Sequence, residues 1–238
     1  KRRGGKELKE ETSNNYTAGV VLQWENFSVT ADLYKIELYD LIAVSQQFVL
    51  TDEEKEDLIN EGITAAANIT SFSFFVNDYD TETEGFDVVA TYSAELLGGY
   101  TDFNLAFNHN ETDVVSFNPA TIDQNRIREL EEGLPENRVN AGVTHLWNNW
   151  RFTLRSNWTD EWYDSEDDRT YDSYWTADVE VGYSFDTGLT LMAGGQNFTD
   201  ETPDSNPTVA EDSGREYSQF APLGFNGAFW YGRVSYDF

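Results

Sequence analysis

The chain is 238 residues long and carries 44 acidic against 15 basic residues, a formal charge of −29. That balance excludes nucleic acid as a partner. With no cysteine, neither a disulfide framework nor a thiolate metal site is available.

No apolar run reaches the ~18 residues that a membrane-crossing helix needs. Yet 15% of the residues are aromatic, and they fall largely in two-residue alternation. Tyr16, Ala18, Val20, Leu22 and Trp24 share a face opposite Thr17, Gly19 and Gln23. After a turn at Glu25-Asn26, Phe27, Val29, Ala31 and Leu33 alternate with Ser28, Thr30 and Asp32. Further segments run over residues 86–95, 103–108, 139–144, 150–158, 175–185 and 189–196, and a last one over 228–238. There Trp230, Val234, Tyr236 and Phe238 oppose Tyr231, Arg233, Ser235 and Asp237. The count is nine strands of roughly ten to fourteen residues. At ~3.3 Å per residue and a ~45° tilt each crosses on the order of 25–30 Å, the thickness of a hydrocarbon core. Strands of soluble sandwiches usually stop after about five or six residues.

The connections alternate short and long. Short ones lie at 25–26, 97–99, 148–149 and 186–188; long ones run through 43–82, 112–136, 163–171 and 198–227. Short turns on one side and long loops on the other characterise a transmembrane barrel, whereas a sandwich has no reason to keep its long loops on one side. The fold expected is therefore all-β, a transmembrane antiparallel up-and-down barrel with short helices in its extracellular loops. One helix starts at a staple and capping box, Leu50-Thr51-Asp-Glu-Glu54, and stops at Gly62; a second opens at Thr121-Ile-Asp-Gln124 and closes before Gly133 and Pro135. The apolar run 68–76 prolongs a strand above the membrane or, alternatively, adds a strand pair. An odd strand count cannot close an antiparallel barrel. With Lys1-Arg-Arg-Gly-Gly leading into polar sequence rather than a signal peptide, the expectation is a chain that starts in mid-barrel.

Several stretches now show a resemblance. The final strand, ending on Phe238, is similar to the closing strand of bacterial outer-membrane barrels, whose terminal aromatic is read by the barrel-assembly machinery. Leu8-Lys9-Glu10-Glu11 with Tyr16 and Gly19 resembles the "L-K-P-E…N-Y-E…G" stretch of TonB-dependent outer-membrane receptors, with Glu10 in place of the usual Pro. Ala31-Asp32-Leu-Tyr34-Lys-Ile36-Glu-Leu38 resembles their "D-Y-Y-x-I-x-I" strand. Thr81 to Asp87 resembles "T-x-G-x-E", with Asp87 for the Glu, and Asn197-Phe198-Thr199-Asp200-Glu201-Thr-Pro203 resembles "N-L-F-D-x-x-P". The resemblance implies that residues 1–238 are the C-terminal part of a 22-stranded barrel whose plug domain lies outside this chain. It implies active uptake of a scarce ligand such as a ferric siderophore, cobalamin, haem or glycan, energised by the TonB complex through the plug. It further implies outer-membrane lipid around the barrel, loops outside and the C-terminus in the periplasm. A passive porin or structural barrel is the alternative function, and a soluble carbohydrate-binding β-sandwich the second alternative.

Inward charges Asp32, Asp87, Arg151, Arg155, Asp178, Glu180 and Arg233 suit a hydrated lumen wall with cross-strand pairs, Arg155 facing Asp178 and Glu180, or contact with ligand or plug. Trp162, Tyr163 and Tyr171 gather around one loop and are candidates for stacking on a ring-bearing ligand, with interfacial aromatic belting the plainer reading. Arg126, Arg128 and Arg215 are candidate ligand contacts within strongly acidic loops, whose charge favours neutral or cationic cargo. No cofactor is expected, except that Asp78, Asp80 and Glu82, and Asp164, Glu166 and Asp168, are carboxylate sets able to supply hard oxygen ligands to Ca²⁺. Neither set has the spacing of an EF-hand, and solvated loops explain both. His109 and His145, the only histidines, are placed beside no serine and acid, so no enzymatic activity is expected. The N-x-Ser/Thr matches at Asn26, Asn68, Asn110, Asn157 and Asn197 read as chance in an Asn- and Thr-rich chain.

Overall fold

The computed structural model describes residues 5–166, 168–207, 210–211 and 214–238. In chain order its strands are β1 (Thr12–Gln23), β2 (Phe27–Tyr39), β3 (Ile42–Val44), β4 (Phe48–Val49), β5 (Ser71–Phe72), β6 (Phe75–Asn77), β7 (Tyr79–Leu96) and β8 (Gly99–Phe117), followed by β9 (Asn137–Trp147), β10 (Trp150–Thr159), β11 (Trp162–Asp164), β12 (Arg169–Tyr171), β13 (Tyr174–Ser184), β14 (Leu189–Gln196) and β15 (Phe229–Tyr236). The helices α1 (Asp52–Asn60) and α2 (Gln124–Glu132) lie in loops. Nine long strands form one sheet in the order β1-β2-β7-β8-β9-β10-β13-β14-β15, every neighbouring pair antiparallel. The sheet is a meander, and β1 and β15 remain its two open edges.

The residues alternate across this sheet as a strand's pleat demands. On the outer face Leu33, Leu105, Leu154 and Val234 are exposed rather than sandwiched against a second layer, Val234 at 70%. Trp24 and Phe152 lie exposed as well, so the apolar face packs against no second layer among the described residues. Asp32, Asp87, Asn108, Arg155, Asp178 and Glu180 share the opposite face by register. The short connections are tight. Leu97 and Gly98 both take positive φ, 53° and 75°, the backbone of the primed turns that match strand twist.

Several strands outrun the expectation from apolar alternation, β7 and β8 the most: β7 spans 79–96 rather than 86–95, and β8 spans 99–117 rather than 103–108. Toward the long-loop end the outer face turns charged, with Lys35 ion-paired to Glu82 and Glu84. Apolar periodicity ends there while the ladder continues, supported by a Thr83–Thr112 hydroxyl contact of 2.8 Å. Gly85 has to be glycine, because a Cβ there would run into the Tyr34 ring and the His109 carbonyl. The Tyr34 hydroxyl sits over it and donates to Asn110 Oδ1 at 3.0 Å.

Beyond the sheet, the β2–β7 hairpin continues as a tower. Asp40 takes φ 53° and breaks β2, after which β3 pairs with β6 and β4 with β5. The 68–76 run is thus the return limb of a prolonged hairpin and adds no spanning strand pair. The helix α1 begins at Thr51 with both halves of the capping box, as the sequence indicates. The staple does not form in sequence terms, since the fourth helical position is Lys55. The N-cap of α2 is Asp123, which accepts from Arg126 N at 2.9 Å, and not Thr121. Thr121 is fully buried and gives its hydroxyl to Asp78.

Candidate functional site

All four long connections, 40–78, 118–136, 160–173 and 197–228, leave the same end of the meander, and the short turns close the other. Those four segments carry 26 of the 44 acidic residues and 5 of the 15 basic ones, so the long-loop end is the acidic end of the molecule. They are not separate flaps. Ala43, Val76 and Tyr79 of the tower pack with Ile122 and Ile127 of the next loop in one small core, with Leu41, Phe74, Val114 and Leu130 around it. Gln46 N donates to Thr121 O at 2.8 Å across that joint.

A second core joins the remaining loops. Trp162, Tyr163 and Tyr171 are buried, at 3%, 2% and 2% exposure. Trp162 and Tyr171 stack at 4.5 Å with an interplanar angle of 6°. Arg128 of α2 lies over the Tyr163 ring at 3.9 Å, and Arg169 over Tyr171 at 4.7 Å. The Tyr163 hydroxyl donates to Asp168 at 2.8 Å; burial, with that carboxylate's help, raises its pKa above the usual phenol value. Asn206 Nδ2 donates to the Tyr171 hydroxyl at 2.8 Å, and Arg169 Nη1 to the Ser205 carbonyl at 3.1 Å. Loop 197–228 therefore lies across the β11–β12 hairpin.

The ligand candidates named from sequence take the following places in this geometry. Trp162, Tyr163 and Tyr171 are the packing centre of the loops and offer no open ring face. Arg126 and Arg128 are held by Glu129 and Glu132 at 2.6 and 2.8 Å, on the helix face they share. Arg215 donates to Gln219 at 2.7 Å.

The candidate Ca²⁺ carboxylates are likewise occupied by protein donors. Asp78 accepts from Thr121 and, at 3.1 Å, from Asn118; Asp80 accepts from Asp40 N at 2.9 Å; Glu82 is on Lys35. Asp164 accepts from Ser218 and from Glu166 N, Glu166 from Gln219, and Asp168 from Tyr163. Asp167, which sits in the same acidic run, lies outside the described residues. Among the described residues no three such side chains converge as a cation would need. A cluster in sequence is thus a set of separate acceptors in space.

On the inner face the geometry is mixed. Glu180 accepts from the Tyr231 hydroxyl at 2.7 Å and from Arg233 at 3.3 Å, a cross-strand pair of the expected kind. Asp32 and Asp87 stand directly opposite each other, with Asn108 donating to Asp87 at 2.8 Å. Arg155 does face Asp178 in register, but Asp178 accepts the Asn197 backbone N–H at 2.8 Å, and Arg155 makes no ion pair among the described residues. Sequence spacing predicts who stands opposite whom; it misses competition from a backbone donor where β14 ends.

Two comparisons with known proteins fit this arrangement and a third finds nothing. No curated protein matches the chain. Among solved structures, the outer-membrane transporter YddB from Escherichia coli is 13% identical, with a TM-score of 0.62 over 97% of this chain and 33% of that one. The copper transporter OprC is 15% identical, with a TM-score of 0.64 over 98% and 32%. The FrpB iron transporter from Neisseria meningitidis is 12% identical, with a TM-score of 0.64 over 96% and 32%. At such identities the likeness is one of fold, and the chain spans about a third of the length of these transporters. The sequence model for the family described as TonB dependent receptor-like, beta-barrel matches residues 2–198, and the chain belongs to that family.

Proposed function

We propose that these residues are the closing third of an outer-membrane receptor that takes up a scarce ligand by TonB-dependent active transport, acting as a transporter and not an enzyme. The observation that carries the reading is the match of the family over residues 2–198 to a nine-stranded meander whose long connections all leave one end. The solved transporters that resemble it handle, by their titles, copper, iron or ferric yersiniabactin. The cargo proposed is therefore a metal or a metal chelate.

In this reading the long loops face the medium and the short turns the periplasm. A plug domain outside this chain fills the lumen and engages TonB. The apolar face, Leu33, Leu105, Leu154 and Val234 among it, meets outer-membrane lipid. The test is uptake of ⁵⁵Fe-siderophore and ⁶⁴Cu by cells carrying the full receptor as their sole route. Uptake abolished by deletion of tonB supports active transport. Uptake that persists without TonB overturns it and leaves a passive porin.

A further inference from the structure

At the long-loop end of the apolar face two kinds of boundary occur. On β10, β13 and β15 it is held by indoles, Trp158 and Trp175 opposite each other and Trp230 farther round, the rings that ordinarily mark a membrane interface. On β1, β2, β7 and β8 no indole stands at that level. Register instead sets two outward rows across the four strands: Ala18, Leu33, Phe86 and His109 in one, and Tyr16, Lys35, Glu84 and Glu111 in the next. The rows lie about 7 Å apart at strand rise, and the change from apolar to charged falls between them. A groove of about 560 Å³ opens across that change and is lined from both rows. Leu33 and Tyr16 on its walls are 63% and 57% exposed.

Hydrogen bonding decides which charge the groove accepts. Asn137 donates through Nδ2 to Asp160 at 2.6 Å, which leaves its Oδ1 to accept from His109 Nδ1 at 2.9 Å. The imidazole is thereby held as the Nδ1–H tautomer, and Nε2 keeps a lone pair. Glu111 also lines the groove, and its carboxylate meets no protein donor among the described residues. The one cation in the lining, Lys35, is shared between Glu82 and Glu84, 2.9 Å from the latter. What the groove presents is a set of acceptors, with net negative charge, above an apolar floor.

These features select among amphipathic molecules. The apolar row asks for a hydrocarbon chain lying along the strands, and the charged row for a head at the level where the hydrocarbon ends. An anionic head is repelled by Glu84 and Glu111. A quaternary ammonium carries the right charge but has no N–H to give to carboxylate or imidazole. A primary ammonium meets both demands, with one positive charge and three donors.

Resting on the membrane reading above, we infer that this groove seats one phospholipid with a primary ammonium headgroup, the ammonium on Glu111, Glu84 and His109 and an acyl chain laid over Leu33 and Phe86. The test uses the full-length receptor in detergent, offered equal amounts of phosphatidylethanolamine, phosphatidylcholine and phosphatidylglycerol, with bound lipid read by native mass spectrometry. The parent is expected to retain one phosphatidylethanolamine with roughly tenfold preference over either competitor, the scale of one charge-assisted contact. Glu111→Gln, a conservative change at an exposed side chain, brings that preference toward parity. Ala18→Trp fills the groove and abolishes the retained molecule; if it assembles poorly, Ala18→Leu carries the same readout. Equal retention of the three lipids by the parent, or an unchanged preference in Glu111→Gln, overturns the seat while a receptor that still needs detergent leaves the membrane reading standing. A receptor that stays dispersed once detergent is removed overturns the membrane reading itself, and the seat with it.

Discussion

Glu136 shows how a single side chain at the loop boundary answers to its surroundings. It ends loop 118–136, one residue before β9, and burial lifts its carboxyl above the usual carboxylate range. The nearby charges of Glu111 and Asp160 push the same way, and His109 opposes them. A raised value means that the folded state holds the proton more readily than the unfolded one. The resulting stabilisation is present below the ordinary carboxylate range and is lost as pH climbs through the raised value, so near neutrality the charge is a penalty. Glu136→Gln is expected to raise the melting temperature of the detergent-solubilised receptor at pH 7.5 by about 1–2 °C, with no difference at pH 4. A gain that is larger in acid would refute this account. Nothing in the sequence marks Glu136, one acid among 44; its character comes from Glu111 on β8 and Asp160 beyond β10, which the sheet brings to it. The same is true of Tyr163 and Tyr171. Their aromatic character is legible, but the chain that buries them, around Asn206 and Ser218, arrives from more than thirty residues away.

Among the elements, the spanning strands and α1 were legible because their causes are local: two-residue alternation in one case, a reciprocal cap at Thr51 and Glu54 in the other. The start of α2 was not, because Thr121 is claimed by Asp78 on the far side of a small core. The ends of β7 and β8 were missed where outward residues become charged while hydrogen bonding continues. The β11–β12 hairpin is three residues a side, too short to hold itself together, so its order rests on the stack of Trp162 and Tyr171 and on loop 197–228. Trp162→Ala removes the middle of that arrangement, a truncation that costs about 3–5 kcal/mol at buried sites. The expected outcome is new cleavage within 160–173 by protease added to intact cells, with the heat-dependent gel shift unchanged. Resistance equal to the parent would show that the loops hold without the stack.

For the molecule as a whole, topology follows from strand count and loop parity. Nine antiparallel strands leave β1 and β15 parallel to each other, so these edges cannot pair with one another in an antiparallel barrel. Two unsatisfied strand edges are not tolerated in lipid, where no water replaces the missing partners. Residues 1–238 exported alone are therefore expected to give no heat-shifted species, whereas the full receptor gives one; a shifted band from the short chain would mean a smaller closed barrel. A ligand was not legible at this scale: of the residues nominated for it, Trp162, Tyr163 and Tyr171 are buried in the loop core, and Arg126, Arg128 and Arg215 engage neighbours on their own segments.

The acidic loop end has one more consequence. Such a rim gathers a cloud of mobile counterions about 8–10 Å deep under ordinary salt, and hydrogen ions are enriched in it along with the rest. A positively charged solute meets an accelerating field on its way in, and a negatively charged one meets a barrier that dilution of the medium makes taller. Capture rates at this mouth should thus track ionic strength in opposite senses for cationic and anionic cargo.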